Sequence, residues 1–153
     1  MFLSLKRSRS SSGSGEKPKR ILYVEGNVDG TVGGSYYVLY DLVTNLNREK
    51  YCPVVVFLFD NILVERLRSK GVEAHVLDPA QPFVIPPVDP SRPLAHLGYR
   101  IARPFQRLVN YFKRFIVPAF RWRAFIRRQR IDLVNLNNSV TRNHDWMLAA
   151  RIA

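Results

Sequence analysis

The chain predicts a doubly wound α/β fold, a parallel sheet with helices on both faces. Three observations carry that reading. Short apolar runs alternate with helix-period segments over residues 21–77 and again over 131–153. The runs Ile21–Val24 and Val54–Phe59 are continuously apolar, as strands buried on both faces are. The first run opens onto a loop punctuated by Gly26, Gly30, Gly33 and Gly34, directly before a helical pattern.

The elements follow in order. Ile21–Val24, with Glu25 after it, is the first strand, rich in β-branched residues and Tyr. From Ser35 the period changes: Tyr36, Leu39, Tyr40, Val43 and Leu46 share one face of a helix over 35–47. Ser35 is placed to cap that helix. Glycines before a helix start leave amides open to a phosphate. The spacing is neither the dinucleotide fingerprint nor a Walker loop, and a turn that only joins strand to helix is the alternative. The run Tyr51–Phe59 gives a second strand over 53–59, with Pro53 tolerated only near its start. Asp60 or Asn61 caps a helix over 61–70, and Gly71 suits a left-handed cap after it. Val72–Leu77 is the third strand and Ile131–Leu136 the fourth, giving a sheet of order 3-2-1-4. A last helix begins at His144.

Two stretches fall outside this pattern. Residues 1–20 are basic and Ser/Gly-rich and read as a disordered tail. Their apolar run, Phe2–Leu5, is too short for a signal peptide. Their Ser/Arg content imitates a transit peptide without its amphipathic pattern. Asp78–Pro93 holds six prolines among sixteen residues, an irregular loop. No apolar run reaches the ~18–20 residues of a spanning helix. The lone Cys52 excludes an internal disulfide, and its apolar neighbours favour a buried thiol.

Net charge is +12, and its distribution is uneven. Residues 21–91 carry five basic and nine acidic residues, whereas residues 92–130 carry eleven basic residues and no acid. This basic insertion, 94–130, interleaves Arg and Lys with Leu, Ile, Phe, Tyr and Trp. Tyr99, Phe105, Leu108, Val109, Phe112, Phe115 and Ile116 approximate an apolar stripe. Arg100, Arg103, Arg107, Lys113 and Arg114 lie largely outside it, and Pro104 and Pro118 are expected to divide the segment into short helices. With Phe112 and Trp122 as apolar anchors, such a segment docks at an anionic membrane surface. A core-packing helix with a solvated basic face is the close alternative, and nucleic acid is the less favoured partner.

The residues then carry a resemblance. The Gly-Gly loop and helix VGGSYYVLYDLVTNL, the run VVVFLF followed by a helix and GVEAHVLD, and the segment RRQRIDLVNLNNS occur in this order. Together they resemble the N-terminal, Rossmann-like domain of GT-B glycosyltransferases, specifically glycosyltransferase family 4. Ile131 stands where that family commonly has Pro, and Asn135 where it commonly has His. The resemblance implies residues 21–153 as half of a GT-B fold, incomplete at its C-terminus. A second domain or chain would hold the nucleotide-sugar donor, so the isolated chain is expected to transfer no sugar.

What the resemblance implies for residues is specific. Gly33, Gly34 and Ser35 would offer the donor diphosphate their amides and a hydroxyl. Asn137, Asn138 and Ser139, past the end of the fourth strand, would meet the hydroxyls of a glycan or lipid-linked acceptor, as would Asp29. The asparagines also serve as ordinary turn and cap residues, and Asp29 as a turn residue. His144, at the edge of the expected cleft, is the one candidate for catalysis. His75 and His96 carry none, and no spacing of His and Cys suits a metal. No metal or other cofactor is implied, because the nucleotide-sugar is a substrate. The expected location is cytoplasmic, peripheral at the membrane face. A non-catalytic α/β module docked to anionic membrane or nucleic acid is the alternative.

Overall fold

The computed structural model describes residues 2–4, 17–26, 34–77, 81–87, 89, 93–137 and 143–153. Five strands form one sheet among them: β1 (Phe2–Ser4), β2 (Lys19–Glu25), β3 (Tyr51–Phe57), β4 (Glu73–Val76) and β5 (Leu133–Leu136). Their order is β1-β5-β2-β3-β4. Strands β5, β2, β3 and β4 run parallel, which is the 3-2-1-4 order the sequence predicts. Strand β1 adds an antiparallel edge, with Leu3 opposite Val134.

Composition alone assigns residues 1–20 to an unstructured tail, and the structure corrects this at both ends. Phe2–Ser4 pairs with β5, and Lys19 and Arg20 belong to β2. An open edge presents unpaired backbone groups that a short extended segment can take up whatever its composition. Residues 5–16 lie outside the described part.

Helices cover both faces because β2 and β3 alternate which way their apolar side chains point. On one face Ile21, Tyr23, Val55 and Phe57 pack against Tyr36, Leu39 and Val43 of α1 (Gly34–Thr44). Leu63, Val64 and Leu67 of α2 (Ile62–Ser69) complete that layer. On the other face Leu22, Val24, Val54, Val56 and Val134 meet Trp122 and Ile126 of α4 (Val117–Arg128). Trp146, Ala149 and Ala150 of α5 (His144–Ile152) join them.

Boundaries differ from expectation where side chains compete for the backbone. Helix α1 stops at Thr44, three residues before Asn47. The Thr44 hydroxyl donates to Tyr40 O at 2.7 Å and Asn45 Nδ2 to Asp41 O at 2.9 Å, which satisfies the last carbonyls early. Asn47 Oδ1 then accepts from Glu49 N and turns the chain. The described part of helix α1 opens at Gly34, so Ser35 lies inside the helix and not at its cap. Of the two candidates for capping α2, Asn61 does so, accepting from Leu63 N at 3.0 Å. Gly71 takes the left-handed conformation after that helix, with φ of 70°.

Strand β3 starts two residues earlier than predicted, with Pro53 inside it. Leu58 N–H donates to Glu25 O and Leu77 N–H to Phe57 O. Odd-numbered residues of β3 therefore face β4. That strand joins only from Val54, opposite Glu73, so the missing Pro53 donor forfeits no ladder bond. Strands β4 and β5 are shorter than the apolar runs that predict them. At the amino edge, Arg20 Nη2 bonds Glu73 Oε2 at 2.6 Å, and His75 Nε2 lies 2.9 Å from Glu73 Oε1. Burial pushes the Glu73 carboxyl up, but its His75 and Arg20 partners outweigh this and hold it below its ordinary value. Cys52 is half-buried, 3.7 Å from an Arg20 nitrogen.

The basic insertion departs most from prediction. Pro104 does not break it: α3 (Pro93–Tyr111) runs through that residue. A π-helical turn (Phe112–Ile116) follows and passes directly into α4. Val117 N–H bonds Phe112 O across the wider turn, immediately before Pro118, which has no N–H to give. The ladder changes register where a donor is missing, so the rod stays continuous.

Candidate functional site

Strand order reverses between β2 and β5, because the chain moves outward through β3 and β4 and returns to the other side of β2. In open parallel sheets the crevice beyond the carboxyl ends of such strands is where ligands bind. Glu25 ends β2 and Asn137 follows β5 at that point. Glu25 is 0% exposed, one of two buried polar or charged residues among those described. Asn137 N–H donates to Val24 O at 3.0 Å, and its Nδ2 donates to Glu25 Oε2 at 2.6 Å. The carboxylate thus orients the amide and pins the β5 end to the β2 end.

The site residues predicted from sequence divide into two sets. Gly34, Ser35, Asn137 and His144 are described: the first two open α1, Asn137 closes the β2–β5 crevice, and His144 opens α5. Gly33, Asp29, Asn138 and Ser139 lie outside the described residues. The Asn137 amide nitrogen turns inward to Glu25, which leaves its carbonyl oxygen as the group outside that bond. Sequence reasoning gives Glu25 no role. A carboxylate ending an otherwise apolar strand is the signal that would have found it, since a buried acid needs a reason to be there.

The membrane-docking set requires two corrections. Trp122 is buried at 3% exposure. It stacks on Trp146 with ring centroids 4.7 Å apart and planes within 3°, and its Nε1 donates to Asp145 Oδ2 at 2.7 Å. Helix α4 packs on the sheet, so this tryptophan serves the core. Burial raises the Asp145 carboxyl above its ordinary value, and the Trp122 bond only partly offsets this. The second correction is the stripe. Tyr99, Val109, Phe115 and Ile116 are half-buried. The outward row is Leu97, Ile101, Phe105, Leu108 and Phe112, with exposures between 48% and 70%. These residues recur every three or four positions along one line of α3 and into the π turn that follows it.

The inner face of α3 holds an irregular strap instead of the sheet. Gln106 Nε2 and Asn110 Nδ2 donate to Phe83 O at 3.1 and 2.8 Å, and Asn110 Oδ1 accepts from Phe83 N at 2.7 Å. Arg100, Arg103, Arg107, Lys113 and Arg114 are all exposed. Arg103 lies over the Tyr99 ring at 5.6 Å. A cleft of about 410 Å³ separates this helix and its π turn from the start of α5. A larger groove, about 590 Å³, lies on the opposite side of the sheet between α1 and α2, where Asp41, Arg66 and Lys70 are solvated rim charges.

Among the described residues no cluster of His, Cys, Asp and Glu is suited to a metal ion, and no helix is long and apolar enough to cross a membrane. Comparison with protein-family models, with curated proteins and with solved structures yields no match. The shown identity is therefore that of the fold: an α/β chain with a four-stranded parallel sheet, an antiparallel edge strand and helices on both faces.

Proposed function

We propose that this chain is the acceptor-side, Rossmann-like half of a nucleotide-sugar-dependent glycosyltransferase that works docked to an anionic membrane. The observation that carries the reading is that one end of the molecule holds both requirements. The switch-point crevice, with Glu25 and Asn137, lies beyond β2 and β5. The helix opening after β5 begins with His144, and that residue shares a cleft with the basic helix α3.

The chemistry at that end suits a diphosphate and a sugar. Gly34 starts α1, and a Cβ added there would meet nothing within 4 Å, so a ligand can approach its backbone. Amides opening a helix stabilise negative charge on a leaving phosphate. The oriented Asn137 amide, held by Glu25, offers its oxygen to a sugar hydroxyl. Glu25 is a positioning residue, because it is buried beneath that amide. His144 is exposed beside the same edge and is the candidate general base.

Membrane docking follows from magnitudes. A large apolar side chain is worth ~1.5–3 kcal/mol on full burial, and an arginine near an anionic surface ~1 kcal/mol. The five outward residues of α3 are already about half covered, so apolar and Coulomb contributions are of the same order. Both then contribute to binding, which distinguishes this helix from a purely electrostatic patch.

An amide-resolved NMR titration with UDP-glucose, a representative nucleoside diphosphate sugar, tests the crevice. Shifts concentrated at Gly34, Ser35 and Asn137 are expected. The exposed α3 row is equally compatible with a non-catalytic membrane-docking module. That second reading is the correct one if vesicles bind while UDP-glucose leaves those three amides unmoved.

A further inference from the structure

Helix α3 and the π turn after it each turn one guanidinium group, Arg107 and Arg114, toward a cleft that the switch-point crevice does not use. Arg107, Asn110, Tyr111 and Arg114 line one wall, and His144 and Asp145 the other. Arg107 and Arg114 line the same cleft from successive turns of the rod, so their side chains reach one shared volume. Neither makes an ion pair or hydrogen bond among the described residues. Their own segment offers no carboxylate, since residues 92–130 contain no acid. The one acid in the cleft, Asp145, gives an oxygen to Trp122 Nε1 instead. Two like charges facing one cleft repel each other until an anion lies between them. Leu108 and Phe112, next to these residues along the helix, belong to the outward apolar row.

We propose that this cleft receives the terminal phosphate of a membrane amphiphile whose apolar tail stays in the bilayer beneath the α3 row. The assignment rests on the membrane-docking reading and names the ligand class for that docked state. A terminal phosphate has three free oxygens, enough for both guanidinium forks at once, whereas a phosphodiester headgroup offers two. Arginine is the residue suited to this, because its planar fork matches phosphate oxygens where an ammonium supplies only a point charge.

The test uses the whole chain and phosphatidylcholine vesicles doped with either phosphatidic acid or phosphatidylglycerol, matched in surface charge. Binding is read by co-sedimentation and by tryptophan fluorescence, since both tryptophans of the chain, Trp122 and Trp146, adjoin Asp145. Tighter binding to the phosphatidic acid vesicles, by about tenfold, is expected, because the diester headgroup forfeits a charge-assisted bond that the terminal phosphate makes. A fluorescence change specific to phosphatidic acid should accompany it. The exposed pair Arg107→Gln/Arg114→Gln should abolish the preference, both vesicle types then being bound equally and more weakly than by the wild type, because two charges of the docking set are lost. Equal binding of the two lipids by the wild type, or a preference that survives the double substitution, overturns the proposal. A parallel titration with glycerol 3-phosphate separates the sources. If that soluble phosphate changes the fluorescence through both arginines while no vesicle is bound, the amphiphile is overturned and a soluble phosphomonoester takes its place.

Discussion

Trp122 and Trp146 stack as a pair, yet their indole nitrogens differ. Trp122 Nε1 donates to Asp145, whereas Trp146 Nε1 is buried without a partner among the described residues. Replacing either by Phe removes similar area, but only Trp122→Phe also breaks a charge-assisted bond. Trp122→Phe should therefore destabilise the fold by about 1 kcal/mol more than Trp146→Phe in urea unfolding; the reverse ranking would contradict the assigned bond. Asp145 adds a pH dependence. Its folded pKa lies above the ordinary value of 3.8, so the folded state holds the proton more tightly than the unfolded chain. The resulting stabilisation is complete below 3.8 and is lost as pH rises through the folded value. Asp145→Asn keeps an acceptor for Trp122 and removes that titration. Its stability relative to wild type should rise from acidic to neutral pH, and a flat difference would sink the point. At this scale the sequence is least legible. Trp122 reads as an interface anchor because Arg and aromatic residues surround it, and only the packing of α4 on the sheet reveals it as core. Glu25 is hidden by its place in the same strand whose apolar residues announce the fold.

Elements are legible wherever a period persists. The face Tyr36, Leu39, Val43 of α1 and the capped helix α2 follow from spacing and from Asn61 and Gly71. Ends are less legible, because hydroxyl and amide side chains such as Thr44 and Asn45 settle them locally. Pro104 misleads for a physical reason: loss of one N–H in a long exposed helix is tolerated when the turns on both sides continue. The turn after α4 puts Arg130 in the left-handed region, with φ of 52°, where the turn after α2 uses Gly71. A side chain there is strained by ~1–2 kcal/mol relative to glycine. Arg130 is exposed, and its backbone N–H donates to Arg127 O at 3.1 Å, a bond that glycine would keep. Arg130→Gly should raise the unfolding free energy by about 1 kcal/mol, measured by thermal or urea unfolding. No gain, or a loss, would show that the guanidinium contributes more than the backbone strain removes.

The whole molecule combines a conventional sheet with one unconventional helix. The order of the parallel strands is readable because the two central strands have continuously apolar cores and crossovers between parallel strands are right-handed as a rule. The edge strand Phe2–Ser4 is not, since three residues in a polar tail carry no periodicity and pair only because β5 leaves an edge open. The amphipathic character of residues 94–130 is readable, but its outward direction is not. That direction depends on the strap at Phe83 occupying the inner face of α3. A helix that exposes five large apolar residues beside an uninterrupted set of basic ones fits an anionic bilayer. Co-sedimentation of the full chain with phosphatidylcholine vesicles, with and without phosphatidylserine, over a series of salt concentrations tests this most directly. Binding should be strongest with the anionic lipid and weaken as salt screens charges beyond ~8–10 Å. It should level off above zero, because the apolar row is insensitive to screening. Phe105→Glu should reduce it more than Phe105→Ala. Failure to sediment with anionic vesicles, or binding that falls to nothing along a steep log-salt line and is unchanged by Phe105→Glu, would contradict a membrane-facing α3.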